Sequence, residues 1–316
     1  MTALAPTPDS APALLSVRGL TQVFRLGRRH HVTAIGGVDF EIRRGETFGL
    51  VGESGSGKST IGRSIIRLID PTDGQVVLAG RTISGRLDAA QRDHLRSSIQ
   101  MIFQNPMSSL NPRKTVFDIV AQGLTTQRRY SSAADRDEKV YAILEKVGLD
   151  RSHADRYPHQ FSGGQRQRIG IARALVMQPD LVIADECVSA LDVSIQAQVV
   201  NLMRALQEEL GTAYLFIAHD LAMVKYISDR IGVMHKGHLV ETGTTAEIFS
   251  GPVHPYTRSL LRAVLSADPR AMRRRAPSEP YDPVALGIDY SAGSVHELSP
   301  THRVLATPEE LAAWRA

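Results

Sequence analysis

The chain has 316 residues, 42% hydrophobic and 22% charged, which suits a soluble globular protein with one large domain and an appendage, or two domains. No apolar run reaches the roughly 18 to 20 residues that cross a bilayer as a helix. The Ala- and Pro-rich start from Met1 to Ser16 lacks the basic-then-apolar order of a secretory signal. A single cysteine, Cys187, excludes an intrachain disulfide and a cysteine-built metal cluster, so a reducing, cytoplasmic setting is expected. The formal net charge of +4 suits phosphate or anionic lipid but does not by itself indicate a nucleic-acid binder.

In chain order, the first clear element is the apolar strand Thr47–Val51, followed by Gly52-Glu53-Ser54-Gly55-Ser56-Gly57-Lys58-Ser59-Thr60 and a helical pattern from Lys58 to Leu68. Strand, glycine loop and helix are the context that the G-x-x-x-x-G-K-[ST] spacing requires for cradling phosphate. The glycines let the backbone wrap closely, and the helix N-terminus adds a partial positive charge. Lys58 would neutralise the β- and γ-phosphates of ATP, and the Ser59 hydroxyl would ligate Mg²⁺.

A second β-prone run, Ile99 to Phe103, precedes a stretch from about Asn105 to Gln160 that reads as loop and helices without a convincing strand. Within it Val140, Ile143, Leu144 and Val147 fall at i, i+3, i+4, i+7, one face of a helix between Ala133 and Leu149. Leu181 to Ala184 is again apolar and is followed by Asp185 and Glu186. A periodic segment from Val193 to Leu210 ends at Gly211, and Tyr214 to Ala218 leads to His219. Strands alternating with helices predict βαβ crossovers and a mainly parallel sheet. Beyond Ser266 the pattern weakens into a Pro- and Arg-containing linker, with Arg273, Arg274 and Arg275 read as a solvated run, and a small terminal appendage. The expected division is therefore a flexible 1–14, a nucleotide-binding domain over 15–265 with a helical insertion at about 105–165, and a linker with appendage over 266–316.

At the end of an apolar strand, Asp185 would hold Mg²⁺ through water. Glu186 just beyond it is placed to polarise an attacking water as general base, although acidic pairs also occur as helix N-terminal charges. His219, ending a neighbouring strand, is placed to reach the γ-phosphate, although a lone histidine after a strand is more often a satisfied structural residue. The eleven histidines show no ligand spacing for a metal site of their own.

The order Lys58, Gln104, Ser162-Gly163-Gly164-Gln165, Asp185-Glu186, Asp192, His219 resembles the ATP-binding subunits of ABC transporters, over essentially Leu15 to Leu265. The resemblance implies an α/β P-loop NTPase of the ABC type, a mixed, mainly parallel sheet with an inserted helical subdomain. It implies that Ser162 to Gln165 start a helix touching ATP held on another subunit, so that one chain supplies only part of each site. Gln104 resembles the glutamine that senses Mg²⁺ and the water, Ser189 to Asp192 the loop crossing the dimer interface, and Phe24 the aromatic stacked on adenine. A strand phenylalanine is more often a core residue.

Between these motifs, Phe103-Gln104-Asn105-Pro106-Met107-Ser108-Ser109-Leu110-Asn111-Pro112-Arg113, Arg156 to Phe161, Ser189 to Gln198 and His254-Pro255-Tyr256-Thr257 are similar to the oligopeptide/dipeptide/nickel importers, most of all their second ATPase subunit. The partners so implied are a second, related ATPase subunit, two transmembrane permease subunits and, indirectly, an extracytoplasmic solute-binding protein, with no nucleic acid. The place implied is peripheral, on the cytoplasmic face of the membrane. Import of another solute, such as nickel or an oligosaccharide, and a soluble non-transport ATPase are the rival readings. Asn105 and Cys187 depart from the group's common residues, and an exposed Cys187 would add sensitivity to oxidation. The tail lacks the cysteine-rich segment of many relatives, which argues against an iron–sulfur cluster.

Overall fold

A computed structural model describes residues 13–27, 30–265 and 281–315. The expected N-terminal segment 1–14 lies almost wholly outside the described residues, and so does the linker with Arg273, Arg274 and Arg275.

In chain order the elements are β1 (Leu15–Leu26), β2 (His30–Ile42), β3 (Thr47–Val51), α1 (Lys58–Ile65), β4 (Asp73–Leu78), β5 (Arg81–Thr82), α2 (Ala89–Ser98) and β6 (Ile99–Ile102). Helices α3 (Pro106–Ser109), α4 (Val116–Gln127), α5 (Ala133–Lys146) and α6 (Gly163–Leu175) follow, then β7 (Leu181–Asp185), α7 (Val193–Leu210), β8 (Ala213–Ile217) and α8 (Leu221–Ile227). The chain continues through β9 (Arg230–His235), β10 (His238–Thr244), α9 (Thr245–Ser250) and α10 (Pro255–Leu265). It closes with β11 (Ser294–Glu297), β12 (Arg303–Ala306) and a helix over Pro308–Arg315.

Every residue of β3, β7 and β8 is buried, which is why these strands read as continuous apolar runs without alternation. They lie side by side and parallel inside an eight-stranded sheet of order β11-β12-β10-β9-β3-β8-β7-β6. Period-two geometry divides each strand between two cores. Leu181 and Ile183 of β7 face one cluster with Phe48, Leu50, Ile61 and Ile65, while Val182 and Ala184 face the other with Tyr214, Phe216 and Val233. The second cluster also takes in Val120 and Leu124 of α4 and Val140 and Leu144 of α5. The residues from Asn105 to Gln160 hold only helices, turns and loops. Ser132 starts α5 by accepting the Asp135 N–H.

Three differences from the sequence reading have physical causes. The helix expected to run to Leu68 stops at Ile65, because Arg67 turns the chain with φ 61°. An antiparallel sheet of order β2-β1-β4-β5 covers one face of the core; it went unread because β1 mixes Arg18, Thr21, Gln22 and Arg25 with apolar residues and breaks its register at three points. The described part of the appendage is not a separate unit. Strand β12 pairs with β10, Val304 opposite Glu241, and extends the main sheet. The buried Glu241 carboxylate accepts N–H groups from Val253 (2.7 Å) and His254 (3.1 Å) and pairs with His302 Nε2 of the appendage at 2.8 Å, so the charge is fully partnered.

Cys187 is 2% exposed inside the helix-side core, and burial pushes its thiol up to about 12. The sensitivity expected of an exposed thiol therefore does not arise. Iodoacetamide at pH 8 should leave Cys187 unmodified in the native protein and alkylate it after unfolding in guanidinium, as read by mass spectrometry.

Two buried histidines sit where the appendage meets the core. Burial holds His254 down to about 3, and its Nδ1 accepts the Tyr256 N–H at 3.1 Å. Burial, reinforced by the Lys236 ammonium, holds His235 down to about 4. Both are neutral when folded and take a proton near pH 6.5 when unfolded. Over that interval the unfolded chain binds more protons, so stability is intact above pH 6.5 and declines as pH falls toward 4. Melting temperature followed from pH 7.5 to 4 should drop, with a shallower slope for His254→Asn; an equal slope would place the pH dependence elsewhere.

Candidate functional site

Strands β9, β3, β8 and β7 are neighbours, with β3, β8 and β7 parallel, so their C-terminal ends share one edge of the sheet. In open α/β sheets that edge is where ligands bind. The loop from β3 to α1 is fitted there against backbone. A Cβ at Gly52 would stand 2.0 Å from the Met234 carbonyl oxygen, and one at Gly57 only 2.3 Å from that of Ala34. Gly57 also caps α1 with φ 104°, which side chains rarely adopt. The crest, Glu53 to Gly55, is exposed, while Ser56, Gly57 and Lys58 are buried.

Lys58 folds back on its own loop. Its Nζ donates to the carbonyls of Gly52 (2.8 Å) and Glu53 (2.7 Å) and to Ser56 Oγ (3.4 Å). Burial pulls its pKa below the ordinary lysine value, and the Glu186, Asp185 and Glu53 carboxylates pull the other way. One residue on, Ser59 Oγ donates to Asp185 Oδ1 at 2.6 Å. Asp185 is 1% exposed, and its other oxygen faces the Arg63 guanidinium at 3.6 Å. A hydroxyl and a carboxylate side by side form a hard oxygen set that suits Mg²⁺.

Glu186 is held in a backbone conformation that L residues avoid, φ 45°, which costs on the order of 1–3 kcal/mol. Its surroundings fix it there. The Glu186 N–H donates to the Ile217 carbonyl of β8 at 2.9 Å, and the Glu186 carbonyl accepts from Ser189 N–H and Oγ at 3.1 and 2.9 Å. The strained turn lifts the side chain off the end of β7, where Gln104 Nε2 donates to Glu186 Oε2 at 2.6 Å. His219 is exposed immediately beyond β8.

Among the sequence-predicted residues, the structure gathers Gly52 to Thr60, Gln104, Asp185, Glu186 and His219 at this edge. Phe24 lies on the β1–β2 hairpin opposite Val32, two residues before the Ala34 that abuts Gly57. Among the described residues it belongs to neither apolar cluster. Ser162 to Gln165 stand elsewhere. Ser162 caps α6, its Oγ accepting from Gln165 N–H (3.3 Å) while its own N–H donates to Gln165 Oε1 (3.0 Å). Gly163 and Gly164 pack beside Leu191 and Ile195 at the start of α7. Asp192 caps that helix through its backbone, its exposed carboxylate forming no cap bond, next to Val193 at 82% exposure.

Two participants escaped the sequence reading. Arg63 is one helical turn beyond Ser59, so the i, i+4 spacing placed it on the same face. Tyr256 Oη accepts the Glu53 N–H of the loop at 3.0 Å, and no local pattern could reveal a contact spanning 203 residues.

Comparison with known proteins gives the chain's relatives. The ABC transporter family matches residues 35–189, and the oligopeptide/dipeptide transporter C-terminal region matches residues 240–288. The chain is 54% identical to the oligopeptide transport ATP-binding protein OppF of Streptococcus mutans over 97% of this chain and 99% of that one. Identity to OppF of Bacillus subtilis is 52%, over 95% and 98%. A dimeric ATP-binding cassette solved in a post-hydrolysis state with ADP and Pi superposes with a TM-score of 0.66 at 28% identity, covering 73% of this chain and 98% of that chain. With a phosphate loop, a paired Asp-Glu and near-full-length identity in agreement, the chain belongs to the ABC transporter family of ATPases, among the oligopeptide and dipeptide transport ATP-binding proteins.

Proposed function

We propose that this chain is the ATP-hydrolysing subunit of a peptide importer, acting with a second ATPase subunit on two separate membrane permeases. The observation that carries the reading is the single bonded set of Lys58 on its loop, Ser59 on Asp185 and Gln104 on Glu186, in a chain 54% identical to an oligopeptide transport ATP-binding protein. The relatives' names favour peptides over nickel or oligosaccharide.

Lys58 would exchange its loop carbonyls for the β- and γ-phosphate oxygens of ATP. Phe24 would stack on the adenine. Ser59, Asp185 and Gln104 would hold Mg²⁺; when bound, the ion offsets phosphate charge. Glu186 would take the proton of the attacking water, its orientation fixed by the strained turn and by Gln104. His219 would face the γ-phosphate.

The second half of each site comes from the other subunit. Helix α6 is 13 residues long, enough for its N-terminus to carry a partial positive charge toward a γ-phosphate. Ser162 to Gln165 at that end, with exposed Asp192 and Val193 next to it, form a surface suited to a partner's nucleotide. ATP held between two chains favours their closed arrangement, which is the differential affinity a switch needs. Coupling would run through a groove near the stretch from Gln104 to Arg113, which would receive a short cytoplasmic helix of a permease, as the family resemblance implies. Among the described residues no helix is long and apolar enough to cross a membrane, so the subunit would sit peripherally on the cytoplasmic face. The solute-binding protein would act only through the permeases.

In the purified transporter, Glu186→Gln should retain ATP binding and lose about two to four orders of magnitude in ATP turnover, the range of a general base. Equal hydrolysis by wild type and variant would remove Glu186 from that role. Ser162→Arg should leave the chain's own nucleotide affinity intact while blocking nucleotide-driven association of ATPase subunits in analytical ultracentrifugation. Normal association would count against the composite site.

A further inference from the structure

The phosphate loop is held from outside as well as from within. Glu53 donates its N–H to Tyr256 Oη at 3.0 Å, while its carbonyl accepts Lys58 Nζ at 2.7 Å, so the tyrosine and the lysine grip opposite sides of one loop residue. The same wall supplies the Met234 carbonyl against Gly52 and the Gly237 N–H, which donates to the Ser56 carbonyl at 3.0 Å.

Tyr256 has no room to yield. It is fully buried, its ring 4.2 Å from that of His235 and 5.2 Å from that of Tyr281. His235 Nδ1 pairs with Tyr290 Oη at 2.5 Å, and Tyr290 Oη with Tyr281 Oη at 3.0 Å. From the other side its N–H is tied to His254, whose own N–H is tied to Glu241, the carboxylate that His302 also reaches. Tyr281, Tyr290 and His302 all belong to the segment after α10. A side chain that only filled core would not need its hydroxyl on the one amide that continues into the lysine's loop.

We propose that Tyr256 is a positioning residue for the phosphate loop, and that residues 281–315 brace the loop through it and so set the affinity for nucleotide. A loop already held in its binding conformation loses less freedom when ligand arrives. The bond to Glu53 is the same in the ground state and the transition state, so it contributes uniform binding: its loss raises KM and leaves kcat alone. ATP and ADP share the loop and are affected alike.

The inference rests on the assignment of this loop as the nucleotide site, and the experiment separates the two. Tyr256→Phe keeps the ring and deletes only the hydroxyl. In the full-length chain, its Kd for trinitrophenyl-ATP and for trinitrophenyl-ADP should rise about three- to tenfold, the range for one hydrogen bond. In the purified transporter, KM for ATP should rise in parallel with kcat within about twofold. Tyr290→Phe, which leaves Tyr256 in place but cuts the link to His235 and Tyr281, should raise both Kd values by a smaller factor, with a melting temperature showing that the variant is folded. Unchanged Kd in folded Tyr256→Phe, or a fall in kcat without a change in KM, overturns the positioning role. Should Tyr256→Phe fail to fold, unchanged Kd in Tyr290→Phe overturns the brace. A wild-type chain that binds neither nucleotide would sink the nucleotide-site assignment itself, a different failure.

Discussion

A buried ammonium organises this molecule. Lys58 is 3% exposed, and a cation withdrawn from water is costly unless its hydrogens find acceptors. Its acceptors are the backbone carbonyls and the serine hydroxyl of the loop that carries it, which fixes the loop's curvature around one point. That curvature brings the backbone onto neighbouring strands, so a side chain at Gly52 or Gly57 would collide with the Met234 or Ala34 carbonyl. Carbonyl dipoles are a weaker counterpart to an ammonium than phosphate oxygens are. The folded chain thus has an enthalpic reason to accept an anion at the crest of the loop.

The carboxylates are arranged by the same logic with the sign reversed. Asp185 has its two oxygens committed, one to the Ser59 hydroxyl and one facing Arg63, which leaves it a fixed anchor. Glu186 has a more open environment, and among the described residues its side-chain hydrogen-bond partner is Gln104. Two adjacent acids in one turn therefore differ in mobility and solvation, the difference that separates a metal-holding from a proton-accepting role. Strain at Glu186 makes the separation possible: in extended backbone successive side chains alternate between faces, whereas φ 45° with the Ile217 and Ser189 hydrogen bonds sets its own direction.

What the sequence disclosed and what it hid follow from the range of the interactions. Thr47–Val51, Leu181–Asp185 and Ala213–Ile217 were legible because parallel strands covered on both faces must be apolar throughout. The α5 stripe of Val140, Ile143 and Leu144 was legible because one face of the helix meets the core. The phosphate loop was legible because its geometry demands particular residues at fixed spacing. The β1–β2 hairpin was not, since its irregular register and mixed polarity erase the period-two signal. Nor was the way the appendage docks, because it depends on long-range contacts such as the buried Glu241 carboxylate meeting His302 across 61 residues. Tyr256 was visible only as part of a stretch resembling relatives, and its contact with Glu53 belongs to tertiary structure alone.

These long-range contacts change what the terminal segment is. A tail that merely followed the domain would leave the phosphate loop untouched, yet here β12 adds to the sheet that carries the loop, Tyr281 packs against the side chain that holds the loop's second residue, and Tyr290 bonds to Tyr281 behind it. The inside of the loop is governed by a cation and the outside by a phenol, and they meet at Glu53. On the proposed reading, nucleotide would replace only the inner set of bonds. The outer set would then persist through the cycle as a constant term in affinity, while the exposed α6 N-terminus, where Ser162 and Gln165 bond to each other, would supply the variable one.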